Sequence, residues 1–251
     1  AIAYASLLGS HRVATDAPLV RQGADRAVVG IEVANGERTV LIEIEINPGK
    51  ANRARINRSA ASRPRDVLGI LRTVVFAPED LALVKGEPTE RRRFVHELLV
   101  QRTPRMQGVK ADYDRILKQR NALLKSAAAA RRSSPHEVVR TLEVWDEQLD
   151  ESGAELVAAR IELLDDLRPH LAAAYDLIAG GVDAKSAADV GLSYQSSLGP
   201  QAEATTDRDV WRAQLLEGIE RRRKDELDRG VTLVGPQRDD LVFSLGTMPA
   251  K

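Results

Sequence analysis

The sequence predicts a mixed α and β fold, in which an antiparallel β-meander leads into a long antiparallel helical arm and the chain then returns to strand. Three observations carry that expectation. Apolar residues alternate with period two over residues 26–60, recur at about 3.6 from Pro88 onward, and alternate again near residues 231–245.

Taken in order, the opening AIAYASLLGS reads as the end of an amphipathic helix that stops at Gly9. AVVGIEVA and RTVLIEIEI flank Asn35-Gly36, a dipeptide suited to the two positive-φ positions of a type I′ hairpin turn. In the second strand Val40, Ile42, Ile44 and Ile46 share one face and Glu43 and Glu45 the other, which is a half-buried sheet. Asn47-Pro48-Gly49 breaks it, ARINR (54–58) reads as a third strand, and TVVF (73–76) as another that ends at Pro78. Pro88 suits the first turn of a helix carrying Phe94, Val95, Leu98 and Leu99. A second helix carries Val109, Tyr113, Ile116, Leu117, Leu123 and Leu124 and fades in SAAAARRSS. Ser134-Pro135-His136-Glu137 is a capping box. The helix after it places Val138, Leu142, Trp145, Leu149, Leu156, Leu163, Leu167, Leu171 and Ile178 on a heptad-like seam, interrupted at Gly153 and bent at Pro169. Paired with the helix before it, this makes the arm. A short strand (191–198) follows, then a helix capped by Thr206 and Asp209 and carrying Trp211, Leu215, Leu216 and Ile219. VTLVG (231–235) and LVFSL (241–245) are the returning strands. The organisation is thus a first part over 1–87, a helical lobe over 88–229 and return strands over 230–251.

Composition excludes several chemistries. The 251 residues contain no cysteine, so disulfides, thiolate metal sites and cysteine nucleophiles are out. Hydrophobic residues at 43% with 29% charged residues fit a globular protein. No apolar run approaches the ~20 residues of a membrane helix, and the opening residues lack a basic leader, so the cytoplasm is expected. The ends, which have neither an initiator Met nor a closing element, suggest an internal piece of a longer protein.

The net charge of zero is a sum of blocks. Residues 50–65 hold six basic side chains and no acid, residues 88–132 twelve basic against four acidic, and residues 137–176 three basic against eleven acidic. Such sorting suits either a surface that meets a polyanion or ordinary solvated helix faces.

No self-sufficient catalytic site emerges. His96-Glu97 and His136-Glu137 begin zinc-protease motifs but are followed by Val100 and Arg140 where the second histidine belongs. GGVDAKS (180–186) has Ala184 in place of the second glycine of a phosphate loop, and no G-x-S-x-G elbow is present. Catalytic and metal-ligating residues are therefore expected to be none. Two strings stand out. In VVFAPEDLALVKGEPTERRRFVHELL (74–99), Glu79 and Asp80 could hold a hydrated metal, position a water, or simply cap a turn. Arg91, Arg92 and Arg93 sit at the helix end unfavourable to cations, and either pair with Glu87 and Glu90 or serve an anion or carboxylate nearby. In VTLVGPQRDDLVFSL (231–245), Arg238-Asp239-Asp240 follows a sharp Gly235-Pro236 turn.

On these strings the chain resembles the RecF family of recombination mediators, whose ATPase head is similar to those of SMC proteins within the ABC class. Residues 78–94 match its PEDL…LVKG.P..RRRF run, and 235–241 its GPHRDDL run with Gln237 replacing the histidine. LGSHR (8–12), ARINRS (54–59) and TLEVWDEQL…GAELVAARI (141–161) extend the resemblance. It implies the central part of an SMC/ABC-like ATPase head, with the phosphate loop before Ala1 and the signature and Walker B segments after Lys251. It further implies ATP and Mg²⁺ in the full-length protein with none held by this piece alone, and a weak DNA-stimulated ATPase there. The implied partners are duplex or junction DNA, RecR and RecO, and a second copy in an ATP-dependent homodimer, without a membrane. Nucleotide-proximal positions would be Arg12, Glu79, Asp80, Asp239 and Asp240, with Arg12 alternatively pairing with Asp16. For DNA the expected contacts are Lys50, Arg53, Arg55 and Arg58 on the meander and Arg91, Arg92, Arg93, Arg102, Arg105 and Lys110 at the arm root. The competing readings are a helical-arm protein-interaction module without a nucleotide role and a chromosome-organising SMC-like head. Helices of about forty residues are short for the latter's coiled coil.

Overall fold

In the computed structural model, which describes residues 1–10, 12–13, 15–130, 135–179 and 190–250, four strands are followed by a run of helices and then by strand again. The elements are α1 (Ile2–Leu7), β1 (Ala27–Asn35), β2 (Arg38–Ile46), β3 (Arg53–Ile56), β4 (Ser59–Ala60), α2 (Ala82–Lys85), α3 (Pro88–Arg102), α4 (Met106–Ala130), α5 (Pro135–Ala179), β5 (Val190–Gln195), α6 (Arg208–Arg229), β6 (Asp240–Leu245) and β7 (Met248–Pro249). The chain divides into two compact units, Ala1–Pro78 with Glu97–Gln107, and Glu79–His96 with Gly108–Lys251.

The first unit holds the antiparallel sheet β1-β2-β3-β4. Ile42, Ile44 and Ile46 are buried on one face with Tyr4, Ala5, Ala54 and Val67, as the alternation in β2 demands. The hairpin turn lies one residue later than expected. Asn35 pairs with Arg38, so the loop is Gly36-Glu37, and of these two Gly36 alone has positive φ (60°). That is type II′ geometry, with glycine first. The type I′ requirement of two left-handed residues is met instead at Asn57 (φ 49°) and Arg58 (φ 68°), between β3 and β4. Residues 73–76 are not a strand: no strand of the described residues lies beside them, the Thr73 N–H goes to Gln101 Oε1, and Val74 and Phe76 are exposed.

The second unit is built on α4, α5 and α6. Arg120 meets Asp146, while Tyr113, two turns earlier, lies at Gly153, two turns later, so α4 and α5 run antiparallel. Gly153 does not interrupt α5. A Cβ there would stand 3.2 Å from Leu215 Cδ1 and 3.3 Å from Tyr113 Cε2, so the missing side chain admits three helices at close range. Ala154, Val157, Ala158 and Ile161 of α5 pack on Trp211 and Leu215 of α6. The helix also runs on through Pro169. Asp207, not Thr206, caps α6, its carboxylate accepting the N–H groups of Asp209 and Val210. Ser134 of the proposed capping box and all of GGVDAKS lie outside the described residues.

β5, β6 and β7 form a second antiparallel sheet. Residues 231–235, expected as strand, are irregular because side chains take the place of a neighbouring strand. The N–H groups of Thr232, Leu233 and Gly235 go to Asn121 Oδ1, Glu226 Oε1 and Ser197 Oγ, while the Val234 carbonyl accepts from Gln237 Nε2.

Candidate functional site

The two strings singled out from the sequence meet in the second unit. Arg91, in the first turn of α3, donates from Nε and Nη2 to the two carboxylate oxygens of Asp240, both at 2.8 Å, and from Nη1 to the Gly86 carbonyl at 2.7 Å. Arg92 Nη1 donates to the Asp239 carbonyl at 2.9 Å. A cation at a helix N-terminus is thereby neutralised by a carboxylate from a distant segment rather than by Glu87. Burial alone would push the Asp240 carboxyl up; the Arg91 hydrogen bonds and the Leu241 N–H outweigh it and hold the group below the usual aspartate range. Asp239 is almost fully buried, and its oxygens accept from the Ser197 N–H at 2.7 Å and the Tyr194 hydroxyl. Burial pushes its carboxyl up.

The Gly235-Pro236 turn is fixed from three sides. Arg160, 2% exposed, donates to the Pro236 carbonyl at 2.7 Å. Gln237 accepts from the Tyr113 hydroxyl and donates to Val234 O. Gly235 stands at φ 118°, and a Cβ there would lie 2.7 Å from the Tyr113 hydroxyl. Glycine is the residue that fits both the angle and the space.

In the first unit, Arg12 is exposed, and its guanidinium has no partner among the described residues. Asp16 does not pair with it. The Asp16 carboxylate instead accepts from the Tyr4 hydroxyl at 2.9 Å and from Asn52 Nδ2 at 2.7 Å. Burial, reinforced by Asp16, pushes the Tyr4 hydroxyl pKa well up, so it stays a donor. Asp80 lies half-buried in the 3-10 turn Pro78–Leu81, and the side chain of Glu79 falls outside the described residues.

The expected DNA contacts divide into groups. Lys50, Arg53, Arg55 and Arg58 are exposed without an ion-pair partner among the described residues, although the register sets Arg53 opposite Glu45 and Arg55 opposite Glu43. Arg102 and Arg105 are exposed. Arg93 pairs with Glu90, and Lys110 with Asp114. Arg91 and Arg92 are spent on Asp240 and on the Asp239 carbonyl. By units, the first carries thirteen basic against eight acidic residues (+5), and the second twenty-four against twenty-nine (−5).

Sequence reasoning missed a buried network. Arg120, fully buried, donates to Asp146 (2.6 Å), Glu226 (2.7 Å) and Thr232 (2.7 Å), linking α4, α5, α6 and the segment before the turn. Its signal was an arginine one helical turn after Ile116 and one before Leu124, on an apolar stripe.

No group of three His, Asp or Glu side chains is gathered for a metal among the described residues. Asp239 and Asp240, with their oxygens engaged by protein donors, do not fit a Mg²⁺-binding role; Arg12 alone of the described nucleotide-proximal set offers a free group suited to phosphate. Among the described residues no helix is long and apolar enough to cross a membrane.

No protein-family model matches the chain. It is 58% identical over 259 residues to the DNA replication and repair protein RecF of Kineococcus radiotolerans, 54% over 252 residues to that of Streptomyces avermitilis, and 52% over 253 residues to that of Frankia alni. All of this chain is covered, and it spans 65%, 65% and 66% of those relatives' lengths. Among solved structures, that of the recombination mediator RecF-ATPrS in the RecFOR pathway aligns with TM-score 0.82 at 22% identity, covering 96% of this chain and 62% of that one. The RecF-ATP structure aligns with TM-score 0.84 at 21% identity, covering 98% and 63%. At these identities the structural likeness is one of fold.

Proposed function

The chain belongs to the RecF family, and from that premise we propose that it is part of an ATP-dependent DNA-binding protein acting in recombinational gap repair and replication restart. In this reading the full-length protein helps load recombinase together with RecR and RecO and works as an ATP-dependent homodimer in the cytoplasm. Nucleotide and Mg²⁺ would be gripped mainly by segments outside these residues, with Arg12 supplying one cation toward phosphate.

The observation that carries the DNA reading is the set Lys50, Arg53, Arg55 and Arg58. These cations stand exposed and without ion-pair partners among the described residues, in a unit of net charge +5. Backbone phosphates are met by such side chains without any reading of bases. Arg91 and Arg92 leave the DNA-facing set, because their guanidiniums hold the Asp239-Asp240 segment. Arg53 and Arg55 face glutamates across the sheet, so the turn residues Lys50 and Arg58 are the cleaner contacts. Lys50→Ala with Arg58→Gly, the glycine suiting the positive φ, removes two charges without disturbing the ladder. In full-length protein the pair should weaken binding to every duplex sequence alike and lower the salt slope by about 1 to 2. An unchanged slope would remove the meander from the site.

A further inference from the structure

Asp16 is the centre of a knot that ties three segments of the first unit together. Its Oδ2 accepts from the Tyr4 hydroxyl of α1 at 2.9 Å and from Asn52 Nδ2 at 2.7 Å, while Asn52 Nδ2 also reaches the Tyr4 hydroxyl oxygen at 3.1 Å. The other end of the Asn52 amide closes the turn between β2 and β3, its Oδ1 accepting the Asn47 N–H at 2.8 Å. Lys50 sits on that turn, exposed, its N–H bonded to the Asn47 carbonyl. Arg12 lies one short stretch before Asp16, exposed, with no partner for its guanidinium among the described residues. The carboxylate best placed in sequence to neutralise Arg12 is thus turned inward, onto two neutral donors.

We propose that Asp16 is a positioning residue of a phosphate-binding surface: by joining Tyr4 to Asn52 it fixes the Arg12 segment to the Lys50 turn, so that these two cations meet phosphate as one unit. The proposal rests on the reading that Arg12 and Lys50 contact phosphate, and it adds the device that sets them in place. Neither the charge of Asp16 nor contact with ligand is required of it. One oxygen in the place of Oδ2 suffices to accept both donors, so an asparagine can serve there.

The test uses full-length protein, a short duplex and a salt series, each with and without ATP. Arg12→Ala and Lys50→Ala are made singly and together, in the natural background and in Asp16→Ala. With Asp16 present, the two alanine effects on affinity should be non-additive by roughly twofold or more. In Asp16→Ala they should become additive, and the salt slope should fall by about 1 to 2. Asp16→Asn should keep both the coupling and the slope. Loss confined to the ATP arm assigns the phosphate to nucleotide; equal loss in both arms assigns it to DNA.

Additive effects with Asp16 present, or an unchanged slope in Asp16→Ala, would overturn the positioning role while leaving the phosphate contacts standing. If neither Arg12→Ala nor Lys50→Ala alters affinity or slope, the phosphate reading itself falls, and the positioning role with it. Tyr4→Phe removes one hydroxyl from the knot and nothing else. It should move the slope in the same direction by less, and decides the matter if Asp16→Ala does not fold.

Discussion

Arg91 holds both carboxylate oxygens of Asp240 at 2.8 Å across a separation of 149 residues. This contact joins the two most specific strings of the sequence, and its residues are half or more buried. Arg91→Ala leaves a partly buried carboxylate unpaired, with an expected cost of about 2–4 kcal/mol in urea denaturation. Arg91→Lys keeps the charge but loses the two-pronged geometry, and should recover less than half of that.

The same pair predicts a pH signature. The folded Asp240 carboxyl lies below its ordinary value, so its stabilisation is complete above the unfolded pKa of about 3.9. It is lost as pH falls through the depressed folded value. In Arg91→Ala that contribution is absent, so the acid limb of the stability curve should become shallower. An unchanged limb would place the acid sensitivity elsewhere.

Asp150 behaves oppositely. It is 1% exposed on α5, one turn from Asp146, and burial pushes its carboxyl up to about 6 despite Arg212 at 3.3 Å. An acid raised in the folded state holds its proton longer there than when unfolded. Stability should therefore decline as pH rises from about 4 to about 6, then level off. Asp150→Asn should abolish that decline and stabilise the protein at neutral pH by on the order of 2 kcal/mol. Thermal melts at pH 4, 5, 6 and 7 check both statements.

Arg120 supplies a third case. Truncating it to alanine leaves Glu226 without its cation and Asp146 with Arg223 alone, at an expected cost of about 3–5 kcal/mol. Replacing Arg120 and Asp146 by apolar residues of similar volume and Glu226 by glutamine, which keeps an acceptor for the Leu233 N–H, should cost less, since that also removes the buried charges. Equal losses in the single and triple variants would contradict this account.

The sequence is most legible where periodicity alone decides. Ile42, Ile44 and Ile46 point to the core as their alternation requires, and Pro88 opens a helix. The two motif strings are legible as unusual, and a carboxylate partner for the arginines is anticipated, but its identity is not. Nothing local to Arg91 points to Asp240, because the pairing is created by the return of the chain after α6. Residues 231–235 mislead for a related reason: Asn121 and Ser197, distant in sequence, together with Glu226 near the end of α6, satisfy a backbone whose composition resembles a strand. Asp16 misleads because its nearest basic neighbour in sequence is not its partner in space.

In the function proposed above, this chain serves an ATP-gated DNA-binding protein. The most direct measurement is a titration of duplex DNA by full-length protein with and without ATP, beside a variant lacking the phosphate-loop lysine. The account predicts that ATP tightens binding for the natural protein and not for the variant. If six to ten phosphates are met, affinity should fall by roughly 10³–10⁵ between 50 and 200 mM salt. Equal, nucleotide-independent binding by both proteins would contradict it.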